Sequence, residues 1–151
     1  MDALLMVGRI LDAVWMSPRV QVHPAWVDET TAAICTHVVS FSFSGTPSVQ
    51  VVPCEVPIHN AYPALGIAVQ ESPSPSGLLE GLQALEQLPE VQECLPAKVA
   101  GVRVWDALGE GPVSAIQVAL ESGVTLIVRH MYPPMSLGVD VLGQGNSSKA
   151  A

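Results

Sequence analysis

The sequence predicts an α+β fold in which two tandem pseudo-repeats of the order α-β-β-β(-β) build one antiparallel sheet with helices packed on one face. Three observations lead there. The first is an internal echo: His59, Tyr62-Pro63 and Leu65-Gly66-Ile67-Ala68-Val69 reappear as His130, Tyr132-Pro133 and Leu137-Gly138-Val139-Asp140-Val141, and self-similarity of this kind dictates architecture. The second is a tandem series of short aliphatic runs separated by turn signals such as Ser44-Gly45 and Ser122-Gly123, which favours hairpins and antiparallel pairing. The third is a leucine-bearing segment of helical character ahead of each series. Residues 1–142 are expected to form a single domain, with pseudo-repeats over 1–72 and 73–142 and a flexible tail over 143–151.

Element by element, residues 3–16 are apolar almost all round, with Arg9 and Asp12 as a narrow polar edge, and read as a largely covered helix that Ser17-Pro18 ends. Val20–Val22 is a short strand. The run 33–43 is the best strand of the first half, alternating cleanly from Val39 onward with Ser40 and Ser42 outward. Val49–Val56 follows, and Pro53 places it at an edge or a bulge because proline cannot donate to a ladder. Leu65–Gln70 is the next strand. Ser72-Pro73-Ser74-Pro75-Ser76 joins the halves.

The second half opens with a helix over 77–88, with Leu78, Leu82 and Leu85 on one face. Pro89 is expected to start a separate turn, since it fits a first helical position and not an interior one. Strands follow at 99–105, 113–120, 124–130 and 137–142.

Composition narrows the function classes. Apolar residues make up 49% of the chain and charged residues only 13%, about half the usual charged share, which leaves enough apolar surface for both a core and a contact patch. No run approaches the ~18 apolar residues of a spanning helix, and the opening has no basic stretch or small-residue cleavage site. Three cysteines without a close pair do not read as a disulfide scaffold. A cytoplasmic protein is the resulting expectation.

The net charge is −8, and its distribution is uneven. Between Arg19 and Lys98 there is no lysine or arginine, whereas Asp28, Glu29, Glu55, Glu71, Glu80, Glu86, Glu90 and Glu93 fall in that interval. Such a field repels nucleic acid and anionic membrane and steers a basic partner.

Catalytic chemistry finds little support. Cys35-x-His37 has the residue types of a zinc pair, but further ligands would have to come from His23, His59 or Cys54 at no recurrent spacing. Cys35 and His37 point in parallel from one strand face, so the histidine is no base for the thiol. Gly109-Glu110-Gly111-Pro112 lacks phosphate-loop spacing. No cofactor or metal is expected.

The reading that results is a non-enzymatic protein-binding module that occludes a basic partner, in the manner of an immunity protein neutralising a toxin or of a secretion chaperone. Its expected contacts are Trp26, Asp28, Glu29, Glu80, Glu86, Glu90 and Glu93. The alternative is a small-ligand or enzymatic cleft between the repeats, lined by Trp26, Trp105, His37 and His130. A homodimer subunit is a third reading, drawn from the apolar first segment.

Overall fold

Gly8 decides what the first apolar segment becomes. Its φ of +89° is open to glycine and strained for other residues, and it ends a single 3-10 turn, Ala3–Met6, before the chain enters strand β1, Ile10–Met16. The covered helix expected over residues 3–16 is therefore corrected to one 3-10 turn and a strand. The burial along β1 runs exposed, buried, intermediate, buried, buried, intermediate, buried, and Asp12 occupies a bulge between Leu11 and Ala13. The bulge turns the Asp12 carboxylate outward, where it accepts the Ser44 Oγ–H at 2.7–2.8 Å. Arg9 lies over the Phe43 ring, 5.7 Å from its centroid. The polar edge read as helical thus belongs to a strand.

The computed structural model describes residues 3–18, 34–58, 62–72, 86–131 and 135–143. After β1 come β2 (Ile34–Thr36), β3 (Val39–Phe43), β4 (Ser48–Val56), β5 (Ala64–Ser72), β6 (Glu86–Gln87), a four-residue helix α1 (Pro89–Gln92), β7 (Ala97–Trp105), β8 (Ala115–Leu120), β9 (Thr125–Met131) and β10 (Ser136–Leu142). The α+β layering is corrected accordingly. The described residues are almost wholly antiparallel strand, and α1 is their longest α-helix. Residues 77–85 of the expected second helix lie outside the described set, and Glu86-Gln87 pair as a strand with Met16 and Trp15. Pro89 does open a separate turn, standing at the first position of α1.

Strand order is β2-β10-β9-β8-β7-β1-β3-β4-β5, with β6 beside β1. Each half of the chain thus contributes a four-strand meander, β1-β3-β4-β5 and β7-β8-β9-β10, and the two join where Ile10 and Leu11 pair with Lys98 and Ala97. Inward rows run across the sheets and form one apolar core. In the first meander they are Val14–Phe41–Val49 and Met16–Val39–Val51. In the second, Ile116–Val128–Val139–Ile34 and Val118–Leu126 do the same. All these side chains are at most 3% exposed. Pro53 is tolerated within β4 because β3 pairs only with Val49–Val51, so no ladder bond is asked of its nitrogen.

The halves also close on each other. The run expected as one strand over 33–43 breaks at His37-Val38, so that β2 adds to β10 of the second half while β3 stays with β1. Ser17 holds this corner. Its Oγ accepts the His37 and Val38 N–H groups at 2.9 and 3.1 Å, and the Thr36 hydroxyl donates to the Ser17 carbonyl at 2.7 Å. On the other side, Val113, just before β8, accepts the Ile67 N–H of β5 at 2.9 Å. Gly66 permits that approach, because a Cβ there would stand 2.9 Å from the Val113 carbonyl oxygen and 3.1 Å from Pro112.

Candidate functional site

Four of the sequence-predicted contacts, Trp26, Asp28, Glu29 and Glu80, lie outside the described residues. The other three, Glu86, Glu90 and Glu93, fall within one eight-residue segment, and all three are exposed. The segment is held at fixed points. Leu88 and Val91 are buried in the core, and the Leu88 N–H donates to the Val14 carbonyl at 2.7 Å. Glu90 also falls in the first turn of α1, where a carboxylate is favoured by the unpaired N–H groups. Three carboxylates therefore project from a ridge anchored on β1 and do not hang from a loose loop.

The histidines of the alternative site have other employment. His130 is fully buried on β9. Its Nδ1–H donates to the Gly66 carbonyl at 2.7 Å, and its Nε2 accepts the Met135 N–H at 2.8 Å. Those partners fix the neutral Nδ1–H tautomer and leave neither nitrogen for a substrate. His37 is exposed, and its Nδ1–H donates to the Met135 carbonyl at 3.1 Å. Met135 is thus gripped at both backbone groups by two imidazoles, and it has a φ of +72°, uncommon outside glycine. Trp105, at the end of β7, carries the Arg103 guanidinium 4.2 Å from its ring centroid. The expected cleft set is therefore divided: His37 and His130 meet at Met135, Trp105 lies against Arg103, and Trp26 lies outside the described residues. The strand register also sets His130 opposite Leu137 and Glu55 opposite Leu65, so Glu55 occupies the matching position in the first meander.

Among the described residues, the Cys35 and Cys94 thiols contact a thioether and a backbone carbonyl, not an imidazole or carboxylate base. Cys35 Sγ contacts Met131 Sδ at 3.9 Å, while the His37 Nδ1–H is engaged by the Met135 carbonyl. Burial pushes the Cys35 and Cys54 thiols up, and at Cys35 the nearby Arg129 partly offsets the effect. The Cys94 thiol donates to the Val91 carbonyl at 3.0 Å. Among the described residues, no three His, Cys, Asp or Glu side chains gather to hold a metal ion.

The Gly109-Glu110-Gly111 loop is filled from within. Asp106 accepts N–H groups from Gly109, Glu110 and Gly111 at 2.7–3.1 Å, and these bonds, Gly111 foremost, hold its carboxyl below the ordinary range. Glu110 in turn accepts the Leu65 N–H at 2.8 Å.

Sequence reasoning missed an apolar patch at the β4–β5 hairpin. Val56 and Ile58 are exposed, and Tyr62 is 93% exposed. A second exposed group, Leu4, Leu5, Val7 and Ile10, surrounds the 3-10 turn. Among the described residues no helix is long and apolar enough to cross a membrane. No protein-family model, curated protein or solved structure matches the chain.

Proposed function

We propose that this chain is a non-enzymatic protein-binding module that meets a basic protein partner through the β6–α1 ridge and covers that partner's working surface. Neutralising a toxin or holding a secreted effector are the two physical forms such occlusion takes. The observation that carries the reading is the ridge itself: Glu86, Glu90 and Glu93 are exposed, while Leu88 and Val91 between them are buried. Like charges fixed on one ridge raise encounter rates with a positive surface, and the effect fades as salt screens it. Exposed apolar side chains such as Tyr62 supply the desolvated contacts that hold a complex once formed.

The test is capture from an extract of the source cells at low and at high salt, with the chain and its E86K/E90K/E93K variant as parallel baits. A basic protein held by the chain at low salt, and held at least about tenfold less by the variant, supports the reading. A captured set that ignores both salt and charge reversal overturns it.

A further inference from the structure

At the corner where β2 joins β10, two sulfurs lie in contact and two imidazoles grip the backbone of a neighbouring methionine. The residues are Cys35, Met131, His37, His130 and Met135, and the proposed function uses none of them. We propose that this corner binds a soft monovalent ion, Cu(I) or Ag(I), through the Cys35 thiolate, the Met131 thioether and the His37 Nε2.

The argument begins with register. Ile34 and Thr36 are buried in the core, so Cys35 between them faces the opposite side of the sheet. Across the ladder, Cys35 pairs with Gly138, and Ser136 pairs with Met131. Gly138 places no side chain between the strands on either side of it, and Ser136 only a small one. The two sulfurs therefore meet over β10, with Sγ and Sδ 3.9 Å apart. Two sulfurs at a metal–thiolate length of about 2.3 Å from one trigonal ion stand about 4 Å apart. The two sulfurs already have the spacing that such an ion requires.

The third donor is prepared in the way metal-ligating histidines usually are. A ligating imidazole donates its other N–H to a carbonyl or carboxylate, which fixes ring orientation and leaves the opposite nitrogen with its lone pair. His37 does this toward the Met135 carbonyl at 3.1 Å. Met135 is itself immobilised, because the buried His130 accepts its N–H. A left-handed backbone at a non-glycine residue is retained where its surroundings determine it, and here two imidazoles do so.

Donor chemistry selects the ion. Thiolate and thioether favour Cu(I), whereas thioether is a poor ligand for zinc or for oxygen-seeking cations. Binding breaks the Cys35 S–H bond, releases the proton to solvent and forms a sulfur–metal bond. The ion enters and remains monovalent, so no oxidant or reductant is needed.

The experiment titrates the reduced full chain with Ag(I), and with Cu(I) against a chromophoric chelator without oxygen, reading stoichiometry by native mass spectrometry. One ion per chain is expected at the first equivalent. Cys35→Ser and Met131→Leu should each weaken binding at least tenfold and His37→Gln severalfold, with Cys54→Ser and Cys94→Ser unchanged. Because Met131 is buried and its variant risks misfolding, the unaltered chain carries a second readout, in which the Met131 methyl and His37 ring NMR signals shift with the first equivalent. Loss of binding in all three cysteine variants alike, full binding in Met131→Leu, or signals that stay in place would each overturn the site.

Discussion

Replacing His130 with phenylalanine isolates what its two ring nitrogens contribute. The ring is fully buried, and phenylalanine fills nearly the same volume, so little of the effect comes from a cavity. What disappears is the Nδ1–H bond to the Gly66 carbonyl and the bond that Nε2 accepts from the Met135 N–H. The Gly66 carbonyl is then left buried without that donor, at a cost of about 1–3 kcal/mol. The Met135 N–H is only part-buried and can reach water, so its loss is nearer 1 kcal/mol. The sum is about 2–4 kcal/mol, which for a chain of this length is a melting-temperature drop of roughly 5–15 °C. His130→Ala should lose about a further 1–2 kcal/mol through the void left by the ring. Urea unfolding checks both variants, with a lower midpoint and an unchanged slope as the expected pattern. A His130→Phe protein within about 0.5 kcal/mol of the parent would refute the reasoning, because it would show that the two backbone groups find other partners.

Other outcomes follow from the two closures. Gly66→Ala should destabilise by about 1–3 kcal/mol, since its Cβ would press on the Val113 carbonyl; faster hydrogen exchange at the Ile67 amide is the local sign. Ser17→Ala removes the acceptor of two N–H groups at the β2–β3 corner and should lose about 2–4 kcal/mol by chemical denaturation. A near-neutral result there would mean that the corner is held elsewhere. Asp106 has a carboxyl held below its ordinary value of 3.8, so its stabilisation is fully present above that value and fades as pH falls through the lower folded one. The gap in urea midpoint between the parent and Asp106→Ala should therefore be widest above pH 3.8 and close on further acidification.

Much of the strand pattern was legible because apolar residues alternate with a period of two. The runs that became β4, β5 and β7 to β10 lie within two residues of their expected limits, whereas the single strand expected over 33–43 is split and Ser40, expected outward, is fully buried between its cross-strand neighbours Trp15 and Gln50. Residues 10–16 misled for the converse reason. A run apolar at nearly every position fits a period of 3.6 as well as a period of two, and only Gly8, Ile10 and Val14 argued for extended chain. The break at His37-Val38 could not be seen, since it answers to β10 a hundred residues later. For the site, the exposure of Glu86, Glu90 and Glu93 followed from charge alone. The engagement of His37 and His130 depended on where Met135 and Gly66 come to lie, which no local pattern encodes.

The pairing of Ile34–Thr36 with Leu137–Val139 has a kinetic consequence. An early segment waits for almost the last residues of the described chain before its backbone groups find their ladder, and such distant contacts make folding slow. During synthesis the first meander would emerge with β2 unmatched, an extended edge open to mispairing until the C-terminal strands leave the ribosome.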